Sequence, residues 1–229
     1  VTELPRLTDR WLSESGGLIY HWRAWRYRAA WAAFNARVCD WLRQWVPPTT
    51  SLVLIGPSAG YTLAARFLAR FDDITAIEPD PLARWLLRRR FAAAPLHFEP
   101  VDYLTHPAGL AHLAARHPQA ALLFCNVLGQ NVGTHAGTPL AHRVRRALHN
   151  HHWASYHDVL SAPQAPLHPL PATAPDTAAA LAEQLWGGSG IEVCDHDTFG
   201  LGGSAGTLAL WPLAPGQHHV IEWIVSTSG

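Results

Sequence analysis

The chain predicts an α/β fold, a three-layer sandwich with a seven-stranded, mostly parallel sheet preceded by N-terminal helices. Three observations carry this. Short apolar runs recur from residue 52 onward, the first being Leu52-Val-Leu-Ile55, with the uniform hydrophobicity of strands buried on both faces. Segments with apolar residues at i, i+3 and i+4 alternate with those runs, and that alternation implies parallel strands covered by helices on both sides. The first 50 residues carry helical periodicity only. The boundary follows: 1–49 is a helical segment, a lid or appendage, and 50–229 is the α/β domain.

Composition narrows the classes of function. With 229 residues the chain can bury a sizeable core as one domain. Formal net charge is zero, so the molecule as a whole exerts no pull on nucleic acid or an acidic membrane, and neither partner is expected. All 17 basic residues are Arg, which excludes Schiff-base chemistry and a P-loop lysine. Cys39, Cys125 and Cys194 are odd in number and far apart, pointing away from a disulfide framework or zinc site and toward a reducing cytoplasm. A charged start without an apolar stretch and the absence of any apolar run near ~20 residues also favour a cytoplasmic location.

In chain order, residues 20–46 read as one long helix, with Tyr27, Trp31, Phe34, Val38, Trp41 and Trp45 three or four apart and Pro47-Pro48 as the stop. Its Trp/Arg mixture around 21–28 reads as an aromatic face packed on the core, with Arg stems along the flanks. Strand 52–55 runs into Gly56-Pro-Ser-Ala-Gly60, and the stripe Leu63, Ala64, Phe67, Leu68, Phe71 starts a helix at about Tyr61. Strand 74–77 ends in Glu78-Pro-Asp-Pro81; a helix over 82–91 and a strand over 96–103 containing Asp102 follow. A helix over 109–116 leads to strand 120–125, which ends at Asn126, and a Gly-rich loop precedes a helix over 139–148. Strand 153–160, a Pro-rich loop and a helix over 176–186 complete the alternation. The sixth strand is expected at 191–194 and the seventh at 219–225, with 208–211 a candidate extension of the antiparallel edge.

Gly56, Ser58 and Gly60 place three small residues at alternate positions between a buried strand and a helix start. Such a turn lets a ligand approach the backbone, with free amides pointing at it. Together with Glu78 after the second strand, Asp102 after the third and Asn126 after the fourth, the chain resembles the class I S-adenosylmethionine-dependent methyltransferases over residues 50–229. The resemblance implies a Rossmann-like sheet closed by a β-hairpin, and S-adenosyl-L-methionine as cofactor. It further implies Gly56, Ser58 and Gly60 as the cofactor turn, Glu78 on the ribose hydroxyls, Asp102 on the adenine amino group, and residues 126–130 along the methyl-transfer site. Two positions depart from the family pattern: Ser58 replaces the middle glycine, and Leu54 stands where an acid is usual.

The function implied is methyl transfer to a small molecule. No Asn/Asp-Pro-Pro-Tyr/Phe motif follows strand four and there is no basic run, both against nucleic-acid acceptors. A hydroxyl or carbon-acid acceptor needs a base, and His157, Asp158 and His196 are the candidates because they lie in or just after strands five and six. Two alternatives stand. The departures at Leu54 and Ser58 suit a non-catalytic binding module with the methyltransferase fold. Gly56-Pro-Ser-Ala-Gly60 also fits the G-x-S-x-G nucleophile elbow of a serine esterase, with Asp158 and His196 or His218 completing the order; the helical front end leaves no strands for the upstream half of such a sheet. Neither His149, His151 and His152 nor Asp195-His-Asp197 has the spacing of a specific metal site, so none is expected.

Overall fold

A computed structural model of the chain describes residues 4–9, 11, 17–131 and 139–226, apart from the side chains of 130 and 131. The strands are β1 (Ser51–Ile55), β2 (Asp73–Ile77), β3 (Leu96–Phe98), β4 (Ala121–Cys125), β5 (Trp153–Ala162), β6 (Thr207–Ala214) and β7 (Gln217–Ser226). They form one sheet in the order β3-β2-β1-β4-β5-β7-β6. The first five are parallel, β7 inserts antiparallel between β5 and β6, and a two-residue strand, Cys194–Asp195, pairs with the far end of β5. This is the sheet order of the class I methyltransferase-type Rossmann-like fold, with the expected antiparallel hairpin at the end.

Burial follows from that order. Central strands β1 and β4 are apolar on both faces: Leu52 and Leu54 face one cluster, Val53 and Ile55 the other. The first cluster takes α1 (Gly17–Arg26), α2 (Arg28–Gln44), α3 (Ala65–Leu68) and α4 (Pro81–Arg90); the second takes α5 (Gly109–Arg116) and α7 (Leu140–Leu148). A short α6 (Leu128–Asn131) follows β4, and α8 (Ala178–Trp186) packs with β5 and β7 in a third cluster. Trp31, Phe34, Val38 and Leu42 of α2 are fully buried, each contributing about 1.5–3 kcal/mol. Phe34 stacks on Trp211 of β6 at 4.7 Å, and Trp31 Nε1 donates to the Leu213 carbonyl at 2.9 Å. The front helices thus share a core with the sheet. Pro212, which cannot donate to a ladder, lies in β6 at the sheet edge.

Four expectations about elements change. The long N-terminal helix is two helices that break at Tyr27 (φ −107°, ψ 20°), because α2 follows β6 whereas α1 turns toward α4. Apolar spacing continues across the break, which is why periodicity alone joins the two. The turn after β1 does not lead directly into a helix: α3 starts at Ala65 and lasts four residues, so the helix expected from about Tyr61 begins later and is short. β3 ends at Phe98, and Asp102 lies in the following loop. The strand expected at 191–194 is reduced to Cys194–Asp195, while Ile191 and Val193 pack as apolar plugs against the α8 cluster; the sixth main strand is β6 at Thr207–Ala214.

Candidate functional site

The site is built at the carboxyl ends of β1, β2, β4 and β5, where ligands bind in open α/β sheets. Gly56 (φ 65°) and Gly60 (φ 67°) bracket the first turn, and Ser58 between them also has positive φ (50°), uncommon for a residue with a Cβ. A Cβ at Gly56 would lie 2.1 Å from Val127 Cγ1, so the turn after β1 presses directly on the loop after β4. A Cβ at Gly60 would meet Phe91 at 2.6 Å and Leu87 at 2.7 Å, which fixes the far side of the turn against α4.

Glu78 locks this turn to the next strand. Its Oε2 accepts from the Ser58 amide at 2.7 Å and its Oε1 from the Asp80 amide at 2.9 Å. Burial pushes the Glu78 carboxyl up to about 7, although both amides and His21 favour the carboxylate. Asp80 caps α4 through the Leu82 and Ala83 amides, and its other oxygen accepts from His21 Nε2 at 2.9 Å. When the ring is neutral, His21 Nε2 carries the proton and Nδ1 accepts from the Tyr61 hydroxyl at 2.8 Å. Burial opposes the Asp80 charge, yet the His21 hydrogen bond and the capped amides hold its carboxyl below the usual range. In this way α1 is tied across the first turn.

Across the site, β5 runs past the end of β4 and places the buried Asp158 beside Asn126. Asn126 Nδ2 donates to Asp158 Oδ2 at 3.1 Å, and the Asp158 amide donates to Asn126 Oδ1 at 2.8 Å. His219 of β7 donates from Nδ1 to Asp158 Oδ1 at 3.0 Å. Because the carboxylate only accepts, Nδ1 carries the proton and Nε2 presents a lone pair when the ring is neutral. Burial would raise the Asp158 carboxyl, but His219, with His196 and Asn126, more than offsets it and the net shift is downward. The His196 ring stacks on His219 with centroids 6.4 Å apart and its Nε2 meets Ser161 Oγ at 3.0 Å; burial lowers its pKa despite the Asp158 charge.

Sequence-based candidates thus divide. Gly56, Ser58, Gly60 and Glu78 form one unit, and Asn126, Asp158 and His196 form a second one. His157 belongs to neither. It is 0% exposed on the alternate face of β5, where Nδ1 accepts from Ser155 Oγ and Nε2 donates toward Glu222 and the Thr198 carbonyl. Glu222 in turn accepts from the Gly200 and Gly206 amides, so this cluster anchors the 198–206 loop. Asp102 Oδ1 accepts from the Leu104 and Thr105 amides at 2.9 and 3.1 Å, an Asx-type turn that leaves Oδ2 for a further donor. The candidate triad of a serine esterase is not assembled: Asp158 pairs with His219, and His196 pairs with Ser161. The side chain of Gln130 lies outside the described residues.

Tyr20, His21 and His219 are site residues that the sequence reading passed over. The Tyr20 ring of α1 lies beside that of Tyr61, centroids 6.1 Å apart, and burial raises its phenol pKa. The available signal for His219 was its phase, since it alternates with buried Ile221 and Trp223 on an otherwise apolar strand face. Tyr20 and His21 carried no such signal, because their roles depend on where α1 turns.

No family model matches the chain, and no curated protein matches it in sequence. Among solved structures it is similar to a SAM-dependent methyltransferase from Anabaena variabilis, at 12% identity over 96% of this chain and 100% of that one, TM-score 0.47. It is also similar to Burkholderia thailandensis 1,6-didemethyltoxoflavin-N1-methyltransferase bound to 1,6-didemethyltoxoflavin and S-adenosylhomocysteine: 14% identity, 91% and 84% coverage, TM-score 0.46. A SAM-dependent methyltransferase from Geobacter sulfurreducens, in complex with S-adenosyl-L-homocysteine, matches 61% of this chain and 51% of its own at 14% identity, TM-score 0.33. The fold assignment rests on the strand order and not on these superpositions.

Proposed function

We propose that this chain is an S-adenosylmethionine-dependent methyltransferase acting on a small molecule. The observation that carries the reading is Glu78: a carboxylate at the end of β2 whose two oxygens each hold one backbone amide and each keep a lone pair for a further donor. That arrangement fits the two adjacent hydroxyls of a ribose. Asp102 Oδ2 suits the adenine amino group, and Gly56, Ser58 and Gly60 form the turn beside them.

S-adenosylmethionine, when bound, supplies a methyl group already activated by a sulfonium charge, so the protein's task is alignment, exclusion of water and proton removal. Asp158 holds His219 in the tautomer with Nε2 free, and Asn126 holds Asp158. This pair, with His196 beside it, takes a proton from a hydroxyl or acidic N–H or C–H of the acceptor. His157 is left a structural role in holding the 198–206 loop. Within the 1–49 segment, α1 serves as the lid, fastened through the contacts of His21 with Asp80 and Tyr61.

The test is transfer of radiolabelled methyl from S-adenosylmethionine to a panel of small hydroxylated and heteroaromatic acceptors. Transfer that falls ~100-fold or more in Asp158→Asn supports the reading. Tight cofactor binding without turnover on any acceptor favours the non-catalytic module, a reading that Leu54 at the usual acid position keeps open.

A further inference from the structure

Helix α1 turns its largest apolar side chains outward. Leu18 is 49% exposed, Ile19 43%, Trp22 54% and Trp25 65%. Leu18, Trp22 and Trp25 are spaced i, i+4, i+7 and so share one face, while Gly17, His21 and Ala24 form the buried face. The helix cannot roll to hide the aromatics, because His21 is held by Asp80 and Tyr61 on the opposite side. The expectation that the Trp/Arg segment packs its aromatic face on the core therefore holds for α2 and is reversed for α1.

The Asp, Glu, Lys and Arg charges along α1 have a single sign. Residues 17–39 contain no Asp or Glu, whereas Arg23 and Arg26 lie in the last turn of α1 and Arg28 follows with its guanidinium 6.0 Å from the Trp25 ring. On the neighbouring α4, exposed Trp85 carries Arg89 at 5.6 Å over its ring. Exposed Trp flanked by Arg, with no acid in residues 17–39, is the chemistry of a helix lying in a lipid headgroup layer: rings sit at the interface and guanidinium groups meet phosphates. A second copy of the same face would set Arg against Arg. Net charge zero does not oppose this, since charges beyond a Debye length of ~8 Å are screened and the local patch decides.

We propose that the outer face of α1 seats the protein on an anionic membrane surface, the helix lying in the interface rather than crossing it. Among the described residues no helix is long and apolar enough to span a bilayer. This is independent of the methyltransferase reading and differs from the absence of a membrane partner that overall net charge suggests.

The experiment is co-sedimentation of the full chain with vesicles of phosphatidylcholine alone and of phosphatidylcholine with phosphatidylserine, circular dichroism checking each variant's fold. The expected result is binding to the anionic vesicles ~10-fold or more above the neutral ones, weakening with salt. Trp22→Ser with Trp25→Ser abolishes it, and Arg23→Gln with Arg26→Gln weakens it by roughly 25-fold, at about 1 kcal/mol per Arg. Three outcomes overturn the proposal: no sedimentation with either vesicle, binding that survives the Trp double variant in folded protein, or a dimer in lipid-free buffer that this variant converts to monomer. In the first of these, binding to soluble polyglutamate assigns the face to an acidic protein partner instead.

Discussion

Asn126 and Asp158 grip each other at two points, the Asn126 amide donating to the Asp158 carboxylate at 3.1 Å while the Asp158 backbone donates to Asn126 Oδ1 at 2.8 Å. The clasp joins the loop after β4 to the overhanging part of β5 and holds Asn126 at a φ of 55°. Replacement by Ala removes both hydrogen bonds and adds left-handed backbone strain, so Asn126→Ala is expected to cost about 2–4 kcal/mol. Asn126→Gly keeps the backbone freedom and is expected to cost about 1–3 kcal/mol. Urea denaturation of the two variants separates the terms; equal losses would place the whole effect in the side-chain bonds.

The Asp158–His219 pair fixes a tautomer. Long-range nitrogen–proton correlation spectra of the wild type are expected to show His219 protonated at Nδ1 with Nε2 bare above the pH at which the ring takes a second proton. In Asp158→Ala the preference shifts toward Nε2–H, while His157, hydrogen-bonded to Ser155 and Glu222, is unchanged. A His219 spectrum identical in wild type and variant would remove Asp158 as the orienting group.

Gly56 is required for two separable reasons, its positive φ and the 2.1 Å approach of Val127 Cγ1 to the space a Cβ would occupy. Gly56→Ala is expected to destabilise by about 2–4 kcal/mol. Adding Val127→Ala relieves the clash and not the backbone strain, so roughly half the loss should return in a double-mutant cycle. Complete additivity of the two variants would mean that the turn and the β4 loop are not coupled.

Glu78 predicts a pH dependence of opposite sense for binding and for stability. With its carboxyl pushed up to about 7, the ionised form that accepts two ribose hydroxyls fills between pH 6 and 8, and affinity for S-adenosylhomocysteine should rise about tenfold over that interval. The free protein holds this proton more tightly than the unfolded chain does. Its contribution to stability is therefore fully present below the ordinary carboxylate range and declines as pH rises through about 7, by about 3 kcal/mol. Denaturation midpoints at pH 5 and pH 8, compared with those of Glu78→Gln, check the sign.

Much of the α/β sheet was legible because buried parallel strands print predominantly apolar runs: 52–55, 74–77 (with Thr75) and 120–125 each match a strand to within a residue. Glu78 and Asn126 were legible for the same reason, as the first polar residues beyond such runs. Two kinds of feature were not. Where a short strand and a packed loop look alike, as at Ile191 and Val193, local hydrophobicity cannot separate pairing from burial. Where a role depends on a long-range contact, as for His21 on Asp80 or His219 on Asp158, no local pattern marks it. The break at Tyr27 belongs with these, since it is set by what α1 and α2 each meet across the fold.

The central claim, that Glu78 and the Gly56–Gly60 turn form a nucleoside site, is tested most directly by calorimetric titration of the full chain with S-adenosylhomocysteine at pH 8, with Glu78→Ala as control. The account predicts micromolar binding at one site per chain, lost in the variant while its fold persists by circular dichroism. Absence of heat in a folded wild type, or equal binding by Glu78→Ala, would contradict it.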